Sequence, residues 1–81
     1  MTVTVKFFAH FRQIVGTDQL AVDLNGDETI AGLLNALSER FDNPALKDER
    51  PVLFVNHKHA KQDTILMDGD TVLLLPVLGG G

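Results

Sequence analysis

A single segment with the helical spacing of apolar residues limits this chain to one main helix. Its apolar positions follow the i, i+3, i+4, i+7 and i+11 spacing of one helical face: Ile30, Leu33, Leu34, Leu37 and Phe41. Thr29 is the predicted N-cap, because its hydroxyl oxygen can accept a hydrogen bond from a free backbone N–H of the first turn. Asp42-Asn43-Pro44 is predicted to end the helix, because the residue before proline avoids the helical conformation. One amphipathic helix must bury its apolar face against another layer.

The remaining apolar segments are predicted strands, and the first two of them have the two-residue period that is typical of strands. The predicted strands are Thr2–Ala9, Gln19–Leu24, Pro51–Val55, a short edge strand within Asn56–Lys61, and a last strand in the apolar stretch Thr71–Leu78. This last strand is predicted to end at Pro76. Of the segments between them, His10–Val15 is a short mixed stretch, and Ala45–Arg50 is a loop or a single helical turn. We therefore predict an α+β fold, in which a mixed sheet of four to five strands carries the helix on one face. The first and last strands are expected side by side in its middle, which is the β-grasp arrangement of ubiquitin.

The composition excludes several classes of function. The chain has 81 residues, enough for one domain, and its small core leaves little room for a buried catalytic cleft. It has no cysteine, which excludes disulfides, thiolate catalysis and cysteine-ligated metals and favours a cytoplasmic location. No segment has the layout of a signal peptide or the length of a membrane span. The net charge is −4 and the sequence contains no basic cluster, so neither nucleic acid nor membrane is an expected partner.

The last three residues, Gly79-Gly80-Gly81, follow directly on the most apolar segment of the chain. Ordering such residues costs about 1–2 kcal/mol each in backbone entropy, and glycine loses the most. We therefore predict a domain over residues 1–78 and a flexible tail over residues 79–81. Glycines permit close approach by another protein and passage through a narrow channel. What this tail presents is the terminal carboxylate of Gly81, which is ionised at neutral pH.

Four stretches of the chain carry a family resemblance: Val5–Thr17, Val55-Asn56, Asp68-Gly69-Asp70 and the ending Leu74–Gly81. Together they resemble the small subunits of molybdopterin synthase, in the MoaD/ThiS family of ubiquitin-like sulfur carriers. The ending is also similar to the tails of the thiamine-pathway carriers, whereas the opening favours the molybdopterin branch. Two positions depart from the family pattern. Gly79 replaces a larger residue that often precedes the Gly-Gly pair, and His59 stands where an apolar, partner-facing residue is expected.

The resemblance implies a function for the tail. A ubiquitin-activating-type adenylyltransferase would use ATP to form an acyl-adenylate on Gly81, and a sulfur donor protein would convert it to a thiocarboxylate. The tail would then enter the large subunit of molybdopterin synthase, in a heterotetramer, and donate its sulfur to a pyranopterin precursor. The resemblance assigns the partner contacts to Gly80, Gly79, Leu78, Val77, Pro76, Arg12 and Phe8. The chain would bind no cofactor itself and would be inactive as an enzyme without its partner.

Other functions fit the same tail. Gly81 could be joined to lysines of target proteins, as in ubiquitin, or the chain could carry sulfur for thiamine synthesis or tRNA thiolation. The chain could also be a non-covalent binding domain with an incidental glycine tail. The pair His57 and His59 has metal-ligand spacing, but no third ligand stands nearby in the sequence, so surface histidines are the preferred interpretation.

Overall fold

The computed structural model describes residues 1–26 and 28–77, and these residues form a five-stranded sheet with helices packed on one face. In chain order the elements are β1 (Thr2–Phe7), α1 (His10–Val15), β2 (Gln19–Asp23), α2 (Ile30–Arg40), α3 (Ala45–Asp48), β3 (Val52–Val55), β4 (Lys58–His59) and β5 (Thr71–Leu75). The strands lie in the order β2-β1-β5-β3-β4. The predicted mixed sheet with one main helix is therefore confirmed.

The first and last strands are neighbours in the middle of the sheet, as predicted. They run parallel, with Val5 opposite Val72 and Phe7 opposite Leu74, while the other strand pairs are antiparallel. Both central strands are shorter than the sequence pattern predicts. β5 ends at Leu75, one residue before the predicted end at Pro76, because proline has no N–H to donate to a neighbouring strand.

The core lies between the sheet and the helices. Alternate side chains of β1 and β5 face the helices and are fully buried, whereas the side chains between them face away. Sixteen apolar residues of the described ranges are buried in one cluster: Val3, Val5, Phe7, Phe11, Val22, Leu24, Ile30, Leu33, Leu34, Leu37, Leu46, Leu53, Ala60, Leu66, Val72 and Leu74. This cluster joins the sheet to all three described helices, so the helices pack on the same face of the sheet. The opposite face of the sheet is left for solvent or a partner.

The main helix begins and ends close to its predicted bounds. The backbone N–H of Gly32 donates to Thr29 Oγ1 at 3.2 Å, so Thr29 is the N-cap. The face predicted to be apolar is buried from Ile30 to Leu37, and Phe41 at its C-cap is half-buried. α3 is the single helical turn that was one of two alternatives for residues 45–50.

One helix was not predicted. His10–Val15 forms α1, which buries Phe11 completely and partly covers Ile14 and Val15. Gly16 ends this helix in the left-handed conformation, and its N–H donates to the backbone oxygen of Arg12 at 2.8 Å. Three apolar residues within six positions are too few to establish a helical period, so the stretch was interpreted as mixed.

Candidate functional site

The site is built around the point where the chain leaves the end of β5. The hydrogen-bond ladder stops before Pro76, and the next residue, Val77, is 56% exposed. The backbone N–H of Phe8 donates to the oxygen of Leu74 at 3.2 Å, which places Phe8 beside this end of the strand. Phe8 itself is 38% exposed. The structure therefore brings Phe8, Pro76 and Val77, three of the predicted partner contacts, to one place.

The open face of the sheet next to this exit is apolar. Leu73 and Leu75 alternate with buried residues of β5 and therefore point away from the helices. Leu73 lies between Lys6 and Phe54 on the flanking strands, and Leu75 lies opposite Val52. We call the following residues the outer patch: Phe8, Val52, Phe54, Leu73 and Leu75. A contiguous apolar surface on a small protein marks an interaction site.

His59 extends the outer patch toward β4. It pairs with Phe54 across the two strands, and the two rings meet edge to face with their centroids 5.6 Å apart. His59 is exposed and faces the same side as the apolar residues. An exposed aromatic ring thus occupies the position where the family resemblance led us to expect an apolar side chain.

A hydrogen-bond network between two loops holds the start of β5. Asp70 Oδ1 accepts from Asn56 Nδ2 at 2.7 Å, and Asp70 Oδ2 accepts from the backbone N–H of Met67 at 2.8 Å. Asn56 Oδ1 in turn accepts from the backbone N–H of Thr71 at 3.0 Å. Gly69, at a φ of 88°, makes the tight turn that lets its N–H reach the backbone oxygen of Thr2 at 2.8 Å. This network gives a structural role to two of the stretches that carry the family resemblance, Val55-Asn56 and Asp68-Gly69-Asp70.

A side-chain hydrogen bond joins the segment that follows β1 to the segment that precedes β3. β1 and β3 flank β5 on its two sides, His10 follows β1, and Glu49 precedes β3. His10 Nε2 and Glu49 Oε1 are 2.7 Å apart, so the pair reaches across the line of β5 just beyond its last residue. Both side chains are nearly half exposed, and such pairs contribute at most about 1 kcal/mol to stability.

The remaining predicted contacts fall into two groups. Arg12 is exposed on α1 and is not among the residues that meet at the exit. Leu78, Gly79, Gly80 and Gly81 lie outside the described residues, as does the predicted boundary between domain and tail.

Sequence analysis missed most of the outer patch, because Phe8 is the one residue of the patch that it named as a partner contact. A signal was present in the sequence. β5 is apolar on both faces, yet the chain has one main helix, which can cover only one face of a sheet. The second apolar face of the strand therefore had to be left open.

Other kinds of site find no support in the part of the chain that the structure describes. No three histidine, aspartate or glutamate side chains in residues 1–26 and 28–77 come together as a possible metal site. No helix in these ranges is long and apolar enough to cross a membrane.

Known proteins share this sequence and fold over nearly their whole length. The molybdopterin synthase sulfur carrier subunit of Escherichia coli is 36% identical over 98% of this chain and 99% of its own length. Small archaeal modifier protein 3 of Haloferax volcanii is 28% identical over all of both chains. The crystal structure of small archaeal modifier protein 1 of the same organism superimposes with a TM-score of 0.78 at 25% identity, over 95% of this chain and 98% of that one.

The sheet order, the single main helix and these structural neighbours identify the fold as the ubiquitin-like β-grasp. The sequence pattern of the ThiS family matches residues 5–81, a span that includes the outer patch, the exit of β5 and the glycine tail. The chain belongs to the ThiS family.

Proposed function

We propose that the chain is a sulfur carrier that acts through the carboxyl group of Gly81 and supplies sulfur for molybdopterin synthesis. The observation that carries this proposal is the match to the ThiS family, which runs through to residue 81. The 36% identity to the E. coli sulfur carrier subunit supports the molybdopterin pathway in particular.

Activation of the tail requires an enzyme that this chain does not contain. A carboxylate is a poor electrophile, so an adenylyltransferase of the ubiquitin-activating type would join the carboxylate of Gly81 to AMP from ATP, with release of pyrophosphate. Sulfide supplied by a donor protein would then attack the acyl carbon, form the C–S bond as the C–O bond to AMP breaks, and leave a thiocarboxylate on the same carbon. ATP is a substrate of this partner, and the carrier itself needs no bound cofactor.

The outer patch would dock each partner in turn. It is apolar, it adjoins the exit of β5, and its half-buried side chains provide the aromatic and aliphatic anchors that dominate binding energy at interfaces. Pro76 and Val77 would lead the chain away from the sheet and into the partner, where Leu78 adds a further contact. Gly79 and Gly80 would cross a narrow entrance, because residues without a Cβ allow close approach of backbone. The large subunit of molybdopterin synthase would receive the loaded tail.

Mass spectrometry of the intact chain tests the first half of this proposal. We expect incubation with an activating enzyme, ATP and a sulfur donor to replace one oxygen of Gly81 with sulfur. A chain that lacks Gly81 is the control and should show no exchange. The proposal fails if the full chain stays unmodified under conditions that load the E. coli carrier.

The acceptor of the sulfur needs a second experiment. We expect the thiocarboxylated chain, mixed with a large synthase subunit and the pyranopterin precursor, to form the dithiolene and to regain its carboxylate. Transfer of sulfur only to a thiamine precursor or to tRNA would assign the chain to another pathway.

A second function is favoured by the relatives named as modifiers. Small archaeal modifier protein 3 matches this chain over its full length. If the chain also modifies proteins, cell extracts should contain covalent conjugates of higher mass, linked through Gly81 to lysines. These conjugates should vanish when Gly81 is removed.

A further inference from the structure

The fold assembles a positively charged groove that the sequence does not reveal. The groove has a volume of about 820 Å³ and lies between the end of α3 and the segment that follows β4. Its floor is formed by Pro51, Leu53 and Ala60, which are all buried. It is an open groove on the surface. It shares Val52 with the outer patch, and it is also lined by His59, which extends that patch toward β4.

The rim of the groove carries an excess of positive charge. Lys47, Arg50 and Lys61 line it together with His59, and Asp48 is the one carboxylate among the lining residues. The Nζ of Lys47 also donates to Asn35 Oδ1 on α2 at 3.2 Å, so Arg50 and Lys61 are the cations on which the argument mainly depends. The whole chain has only seven lysines and arginines and a net charge of −4, and three of those seven residues line this groove. The groove is therefore a local positive site on a negatively charged protein, and complementary charge would attract an acidic ligand to it.

The backbone around the groove does not favour addition of a strand. β4 pairs only with Phe54 and Val55, and the N–H of Ala60 donates to the oxygen of Leu53 at 2.9 Å before the two segments separate. Beyond this point the edge of β3 continues into Pro51, which has no N–H to offer a new strand. Recognition in the groove would therefore depend on the side-chain charges of the rim and the apolar floor.

The groove opens beside the exit of the tail. Val52 lies opposite Leu75 in antiparallel register. Pro51 directly precedes Val52, so the lining of the groove begins next to the last residue of β5. A protein that takes up the tail would thus have the groove within reach at the edge of the outer patch.

We propose that the groove binds an acidic segment of the protein that receives the tail, as a second anchoring point next to the outer patch. The identity of that protein rests on the proposed function, whereas binding of acidic polypeptide by the groove does not. A short segment fits better than a nucleic acid, because three cations around an apolar floor cannot track an extended line of phosphates. Carboxylates would meet the rim, and an apolar side chain between them would cover the floor.

Nuclear magnetic resonance titration of the full chain tests the groove without any partner. The probe is a capped peptide of sequence EELEEL, and KKLKKL, inorganic phosphate and a single-stranded RNA serve as comparisons. We expect EELEEL to shift the amide signals of residues 47–53 and 59–62, and to bind more weakly as salt is added. KKLKKL should not bind.

Charge-reversal variants provide the matched control. Arg50→Glu combined with Lys61→Glu should weaken the binding of EELEEL by roughly tenfold or more, equivalent to about 1.4 kcal/mol. Arg40→Glu combined with Lys58→Glu makes the same change in net charge outside the groove and should leave the affinity nearly unchanged.

Several outcomes would overturn the proposal: no binding of EELEEL, equal loss in both double variants, or RNA or phosphate occupying the groove as tightly as the peptide. None of them would alter the exchange of oxygen for sulfur at Gly81. Failure of the groove and failure of the sulfur-carrier function are therefore distinguishable.

Discussion

Ala9 turns the chain from β1 into α1 with backbone angles of φ 55° and ψ −135°. Glycine populates this region readily, whereas a residue with a Cβ is disfavoured there by about 1–3 kcal/mol. Ala9 directly follows Phe8, so this turn takes the chain away from the sheet at the edge of the outer patch. The same turn explains why β1 stops at Phe7 rather than running to residue 9 as its sequence pattern predicts.

We expect Ala9→Gly to raise the free energy of unfolding by about 1 kcal/mol, because relief of the backbone strain outweighs the added flexibility of the unfolded chain. Urea denaturation followed by circular dichroism measures the change. Ala36→Gly, in the middle of α2, is the matched control and should lower the free energy of unfolding by about 1 kcal/mol. A loss of stability in both variants would show that Ala9 is not strained.

Ser38 is the one buried polar side chain in the described core, at 8% exposure. Its hydroxyl has no hydrogen-bond partner within residues 1–26 and 28–77. Burying an unpaired hydroxyl costs about 1–3 kcal/mol, so we expect Ser38→Ala to keep or raise stability. Thr29→Ala removes the hydroxyl that accepts the N–H of Gly32 at the start of α2, and it should lower the free energy of unfolding by about 1 kcal/mol. The prediction is wrong if the two variants lose stability equally in urea.

At the scale of the elements, β5 leads to the tail, and hydrogen bonds to the carboxylate of Asp70 hold the start of this strand. Asp70 accepts hydrogen bonds from both Asn56 and Met67, and charged acceptors make the stronger bonds. We expect Asp70→Ala to lower the free energy of unfolding by about 2 kcal/mol. Each kcal/mol corresponds to roughly 4–8 °C of melting temperature in a domain of this size, which calorimetry resolves readily. Asp63→Ala, at an exposed position, should leave the melting temperature unchanged, and an equal shift in both would argue against the network.

The elements also show how far sequence reasoning reaches. The α2 face, the Thr29 cap and the central pairing of β1 with β5 all follow from apolar period and turn residues, and the structure confirms them. α1 escaped prediction because its six residues span less than two turns, so no period can be recognised.

The candidate site was predictable only in part. The apolar last strand and the partner contact at Phe8 were predicted from the sequence, and Phe8 is indeed exposed at the end of β5. The cationic groove could not be predicted, because Lys47 and Lys61 come together only through the packing of α3 beside the segment after β4. The roles of residues 78–81 stay predictions.

At the scale of the whole molecule, we predict that the domain separates folding from function. The buried cluster of the described residues runs from Val3 to Leu74, and glycines have no side chain to add to an apolar core. We therefore expect removal of Gly80 and Gly81 to leave the melting temperature unchanged while it abolishes loading with sulfur. Calorimetry and intact-mass measurement on the same sample check both halves, and a large drop in melting temperature would contradict this separation.

The outer patch gives the last prediction, because its side chains stay partly exposed in the free chain and a complex would bury them. Phe8→Ser should weaken binding to the large subunit of molybdopterin synthase by about 2 kcal/mol, or roughly thirty-fold, as expected for an aromatic anchor near the centre of an interface. Its effect on unfolding should be small, since Phe8 is 38% exposed.

Ile65, which is 69% exposed and bridges to Thr29 away from the sheet, provides the control. Ile65→Ser removes a similar exposed apolar side chain and should bind normally in titration calorimetry. If both variants weaken the complex equally, general surface hydrophobicity and not the outer patch holds the partner, and the open face of the sheet would need another explanation.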